Sequence, residues 1–265
     1  MIHYHGTPIG GDNIEAARFL KGRHALIPFA YPINLGIALE VCQSVIFDNS
    51  AFTTWKSGEQ KNGAELLKWV TSYQKWIEGI YRHPAFVWGL ICDIIDGNEE
   101  DNDALLADWD RQIPGVPVWH LHESLDRLIR LCNEWPTVAF GSSGQWAMPG
   151  TPAWWRRMNA AMNAICNESG QPPCKLHGLR MLNPEIFTKL PFASADSTNA
   201  AQNNGATSRF GTYCPPTAGQ RAEVIASRIE AHQSAAVWAG YQQDSMDFGL
   251  WQNVEENNGS PARLK

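Results

Sequence analysis

The chain lacks any run of about 18 apolar residues, and Met1–Gly6 is not a basic stretch leading into an apolar one. Neither a membrane-spanning helix nor a secretory leader is expected. No Cys-x-x-Cys pair occurs among Cys42, Cys92, Cys132, Cys166, Cys174 and Cys214. Free, buried thiols in a reducing cytoplasm are the expectation. No Gly-x-Gly-x-x-Gly or phosphate loop follows the first β-prone run, which argues against a doubly wound nucleotide-binding sheet. No Gly-x-Ser-x-Gly elbow is present, which argues against Ser-His-Asp catalysis. Positive charge is also short. The net charge is −6, with 17 acidic against 11 basic side chains in residues 1–132 and 10 of each in residues 133–265. A protein holding nucleic acid by bulk charge is not expected.

What is present is core. Apolar residues make up 44 % of the 265 residues and charged ones 18 %, with 12 Trp. Short β-prone runs alternate with helical periodicity. Strands are expected at 2–5, 24–29, 45–48, 86–93, 117–122, 138–140, 175–181 and 192–196. Helices are expected at 13–21, 63–81, 105–113, 125–135, 153–167, 185–189 and 221–238, with 37–43 a short helical or irregular crossover. In the helix at 63–81 Leu66, Leu67, Val70, Tyr73, Ile77 and Ile80 share a face. In that at 125–135, Leu125, Leu128, Ile129 and Cys132 are expected to point inward. Thr151-Pro152 and Asn183-Pro184 read as N-caps followed by proline, and Thr217 with Gln220 as a capping box. The acidic stretch 96–103 and the Asn-, Ser- and Thr-rich stretch 197–216 read as loops, the second functional because of its length. Eight strand–helix units predict a single (β/α)8 TIM barrel over residues 1–252, with 253–265 a polar tail.

In such a barrel the loops after the strands build one active-site rim. The rim then collects His5, Asp48, Asn49, Asp93, Asp96, His120, His122, Glu123, Gly141 to Gln145, Arg180, Met181, Asp196 and Ser197. Asp48, Asp93 and Asp196 each close an apolar run, although strands disfavour aspartate. Three acids around one mouth point to acid–base or nucleophilic chemistry. His3-x-His5 and His120-x-His122 keep a metal-dependent barrel hydrolase of a small molecule open as an alternative. Gly141-Ser-Ser-Gly144 suits close approach of a flat ring or an anion.

These segments resemble tRNA-guanine transglycosylases. Phe47-Asp48-Asn-Ser-Ala-Phe52 is similar to their Asp-Ser-Gly-Gly-Phe segment, and Ala195-Asp196-Ser-Thr to their nucleophile segment. Asp93 stands where they carry a base-recognising Asp, and the 141–144 loop where they carry a Gly-rich one. His5-Gly-Thr-Pro8 and the short length look more like the phage-type branch, DpdA, which inserts 7-deazaguanines into DNA. The resemblance implies guanine replacement in DNA through a glycosyl ester on Asp196, with Asp48 moving protons. The same exchange on tRNA is the alternative. It implies base contacts from Asp93, His120, Gly141, Ser142, Ser143, Gln145 and Met181. Phosphate contacts are implied at Arg156, Arg157, Arg180, Arg209 and Arg221. The family's zinc set, Cys-x-Cys-x-x-Cys with a distal His, has only Cys214 and His232 to represent it here, so no cofactor is expected. A phage origin would place the protein in the host cytoplasm.

Overall fold

The computed structural model describes residues 1–56, 58, 63–205 and 210–240. Short apolar runs become strands: β1 (Ile2–Gly6), β2 (His24–Pro28), β3 (Ser44–Asp48), β4 (Phe86–Leu90), β5 (Gly115–Val116), β6 (Val118–His120), β7 (Thr137–Gly141), β8 (Lys175–Gly178) and β9 (Ser194–Ser197). All pairings are parallel, in the order β5-β4-β3-β2-β1-β9-β8-β7-β6. Pro117 divides what is otherwise one strand into β5 and β6. Proline has no N–H for a ladder. Residues before it pair with β4, and Val118 onward pairs with β7. The carbonyl of Pro117 still accepts from the Ala139 N–H at 2.9 Å, and that of Val116 from the Ile91 N–H at 3.0 Å. The ring therefore closes through Pro117, and the expected α/β barrel is present.

The helices are α1 (Asn13–Leu20), α2 (Leu35–Val41), α3 (Ala51–Lys56), α4 (Gly63–Glu78), α5 (Glu99–Ala107), α6 (Leu125–Glu134), α7 (Pro152–Ile165), α8 (Pro184–Phe187), α9 (Asn199–Asn203) and α10 (Ala218–Glu230). The expected caps form. Thr151 Oγ1 accepts from the Trp154 N–H, Asn183 Oδ1 from the Glu185 N–H, and Thr217 and Gln220 make a reciprocal box. The barrel lumen is packed by Tyr4, Leu26, Ile46, Trp88, Leu90, Val116, Val118 and Ala139. Outward-facing residues such as Ala25, Val45, Phe47, Trp119, Phe140 and Ala195 join the core beneath the helices.

Several expectations are corrected. The stretch 99–107 is helical, because Asn98 Oδ1 caps it and Glu99, Glu100 and Asp101 favour the positive helix N-terminus. α9 lies in a stretch expected to be a loop, and α3 in one for which no element was expected. Leu67 and Ile129 face solvent, at 66 % and 38 % exposure. The tail 253–265 lies outside the described residues.

Candidate active site

Which side chains reach the lumen follows from strand parity. Successive side chains point to opposite faces. Ile46 is inward, so Asp48 is inward. Ala195 packs outward, so Asp196 is inward; Leu176 packs outward, so His177 is inward. Val118 and Ala139 are inward, which brings His120 and Gly141 to the same mouth. Because all strands run parallel, their C-terminal ends share one rim. There they surround a cavity of about 510 Å³ lined by residues in or just after every strand but β5, including Thr7, Pro28, Asp48, Asp93, His120, Gly141, Arg180 and Asp196. That is the size of a small-molecule or nucleotide pocket.

Two backbone outliers hold two of the acids. Ser50 and Arg180 are the non-glycine residues with positive φ among the described residues, at 65° and 59°. Such a conformation is disfavoured for L-residues by about 1–2 kcal/mol. Each turns its N–H onto a cavity carboxylate. Ser50 donates to Asp48 Oδ1 at 3.1 Å, and Arg180 donates to Asp196 Oδ1 at 3.1 Å. Strain concentrated on two such bonds marks the carboxylates as the reason for it.

The two acids stand in different surroundings. Burial pushes Asp48 up to about 7; the Ser50 N–H opposes this, while the charges of Asp196 and Asp93 add to it. The surface it retains opens on the cavity. Asp196 is 4 % exposed and is pinned through Oδ1 alone, by Arg180 N–H and by His177 Nε2 at 3.2 Å. A carboxylate only accepts, so Nε2 carries a proton toward it, and His177 Nδ1 is hydrogen-bonded to the Ser194 hydroxyl at 2.8 Å. Ser194–His177–Asp196 has the members of a hydrolase triad in reverse. The acid faces the cavity, and the serine lies behind it. Oδ2 of Asp196 has no partner among the described residues.

Asp93 is more constrained. Asn49 Nδ2 donates to its Oδ1 at 2.7 Å, and His120 Nε2 to its Oδ2 at 2.7 Å. His120 Nδ1 is buried without a partner among the described residues. Gly141 is required beside it, since a Cβ there would stand 2.7 Å from that nitrogen. Asp93 is therefore a fixed wall of acceptors.

No protein-family description, curated protein or solved structure matches the chain.

The structure brings Asp48, Asp93, His120, Gly141, Ser142, Arg180 and Asp196 to one cavity. It does not bring Ser143, Gln145 or Met181 there. Ser143 Oγ is bonded to His122 Nδ1 at 2.8 Å, Gln145 faces solvent, and Met181 is fully buried in the outer core. His3 and His5 point outward, as Tyr4 between them points into the lumen. His3 Nε2 meets the His232 carbonyl, and His5 Nε2 meets Glu230 at 2.8 Å. Glu123 is bonded to Asn102, Arg127 and the His120 N–H. Among the described residues no three of His, Cys, Asp or Glu are arranged to hold a metal ion; His3 and His5 lie away from the cavity, and His120 is engaged with Asp93. Arg157 is spent on the carbonyls of Leu121 and Glu123, and Arg221 on those of Asn204, Pro215 and Pro216. Arg156 is exposed on α7, and Arg209 lies outside the described residues. His177 escaped the sequence reading. Parity puts it on the face opposite Leu176 but does not say which of the two faces is the lumen.

Proposed function

We propose that the chain is a glycosyltransferase that exchanges guanine in DNA for a 7-deazaguanine through a covalent ester on Asp196. The observation carrying this reading is the pair Asp48 and Asp196 in one cavity. One is held near neutrality by burial; the other has a free oxygen, with its partner oxygen clamped. Base exchange with retention needs such a pair, an acid–base group near neutrality and a carboxylate nucleophile.

In this mechanism Asp196 Oδ2 attacks the anomeric carbon and the bond to guanine breaks. The departing base takes its proton from Asp48, which becomes a carboxylate. The incoming base gives a proton back to Asp48 and attacks the same carbon, and the ester bond breaks to restore the Asp196 carboxylate. Asp93, fixed by Asn49 and His120, offers acceptors to the N–H edge of a guanine-like ring. The nucleotide must leave its stack to enter.

The test is incubation with labelled guanine and, in separate arms, duplex DNA and tRNA. Enzyme-dependent label uptake in the DNA arm is expected; uptake confined to tRNA would replace the substrate, and none in either arm would remove the reading. Asp196→Asn should lower exchange by roughly 10⁴-fold or more and abolish the covalent adduct in denaturing mass spectrometry. Asp48→Asn should lower it by about 10²–10⁴-fold and flatten the pH dependence near 7.

A further inference from the structure

The Arg180 side chain is set apart from the other buried or half-buried arginines. Arg23, Arg127 and Arg130 are paired with carboxylates. Arg157 and Arg221 are taken up by carbonyls. Arg180 is half-buried in the cavity wall, with its guanidinium 3.6 Å above the Phe52 ring. Its one side-chain hydrogen bond among the described residues runs from Nη2 to the Ser142 carbonyl at 3.0 Å. A guanidinium carries five N–H groups in a planar fork that matches an oxyanion. Part of that fork faces the cavity; no carboxylate is in ion-pair contact with it among the described residues, although the charges of Asp196 and Asp48 act on it. Burying a cation is unfavourable unless something pairs with it. The ring of Phe52 holds one face, and the Ser142 carbonyl holds one corner. The plane is therefore fixed before any ligand arrives, which is what bidentate capture of an oxyanion requires.

We infer that Arg180, braced on Phe52, is the seat of a phosphate group on the very nucleotide whose base is exchanged. The assignment of the anion to a nucleotide rests on the base-exchange reading; the anion seat itself rests on the geometry of Arg180. The backbone N–H of the same residue holds Asp196. One residue thus ties the phosphate to the nucleophile, and a substrate gripped at the phosphate has its sugar delivered beside Asp196. The phosphate has two possible sources, a phosphodiester in a nucleic-acid strand or the phosphomonoester of a free nucleotide.

The experiment is calorimetric titration of the full chain with inorganic phosphate, guanosine, guanosine 5′-monophosphate and a short guanine-containing single strand of DNA. Wild type, Arg180→Gln and Arg180→Lys are compared. The wild type should bind the monophosphate at least about tenfold tighter than guanosine, and Arg180→Gln should bind the two alike. Arg180→Lys should fall between them, since it keeps the charge and loses the fork. Inorganic phosphate should compete with the monophosphate in the wild type. A DNA strand that binds tighter than the monophosphate, and loses a similar factor in Arg180→Gln, assigns the anion to a phosphodiester; the monophosphate alone doing so assigns it to a free nucleotide. Equal binding of guanosine and its monophosphate by the wild type would overturn the inference, as would a preference that survives in Arg180→Gln. Inorganic phosphate held through Arg180 with no binding of any guanine ligand would keep the anion seat and end the base-exchange reading. Should Arg180→Gln lose its near-ultraviolet circular dichroism, Phe52→Leu carries the same comparison, with the preference narrowed several-fold.

Discussion

Asp48 carries a consequence for stability as well as for chemistry. In the folded chain it keeps its proton up to about pH 7, because burial disfavours the carboxylate. An unfolded chain releases that proton near pH 4. Between those values the folded state binds the extra proton, so stability falls as pH rises from about 4 to about 7. The penalty is complete above that window and absent below it. Asp48→Asn keeps an acceptor for the Ser50 N–H and removes the titration. It should be more stable than wild type at pH 8 by about 1–3 kcal/mol, less than the full shift implies because the group borders an open cavity. At pH 4 the two should match. Thermal melts at both pH values check this; an offset that is the same at pH 4 and pH 8 would mean that titration is not its source. His177 and His5 show why residues of this kind are hard to place from sequence. Each sits in a strand buried on both faces, so hydrophobic alternation is silent. Only the register of the closed barrel tells that one looks into the lumen and the other into the helix layer.

At the scale of elements, the alternation of apolar strands and amphipathic helices was legible, and so were the caps at Thr151, Asn183 and Thr217. The helix start inside the acidic stretch 96–103 was not. Its charge reads as solvated loop, yet Asn98 caps it, and the buried Asn102 bonds the Ile94 N–H and Glu123. Composition lost there to capping and helix-dipole terms. α6 is secured to β6 by a similar hidden device. Arg127 donates to Glu123 at 2.6 Å, to Asp103 at 3.0 Å and to the Val118 carbonyl at 3.0 Å, and both Arg127 and Glu123 are almost fully buried. Removing one member strands the other charge. Arg127→Met should therefore destabilise the fold by about 3–5 kcal/mol. Replacing both, as Arg127→Met with Glu123→Leu, should recover part of that loss. Urea denaturation of the single and double variants tests the coupling, and a single variant within about 0.5 kcal/mol of wild type would show that the pair is not structural.

For the whole molecule, the charge balance limits how a polyanion is held. The chain carries a net charge of −6. Among the residues lining the cavity the cations are Lys56 and Arg180, and Arg23, Arg127, Arg157 and Arg221 are engaged within the fold. If the proposed base exchange holds, affinity for a nucleic acid comes chiefly from the gripped nucleotide at the cavity. Each phosphate neutralised contributes about −0.7 to −0.9 to the slope of log affinity against log salt. One or two contacts predict a slope between about −0.7 and −1.8, so binding should weaken by no more than about tenfold between 50 and 200 mM salt. Fluorescence anisotropy with a labelled guanine-containing strand measures this directly. A slope steeper than about −4 would require several phosphate contacts beyond the cavity's Lys56 and Arg180, and would move the strand's main contacts away from the barrel mouth. A shallow slope that flattens further in Arg180→Gln would tie the remaining salt dependence to the residue that also holds Asp196.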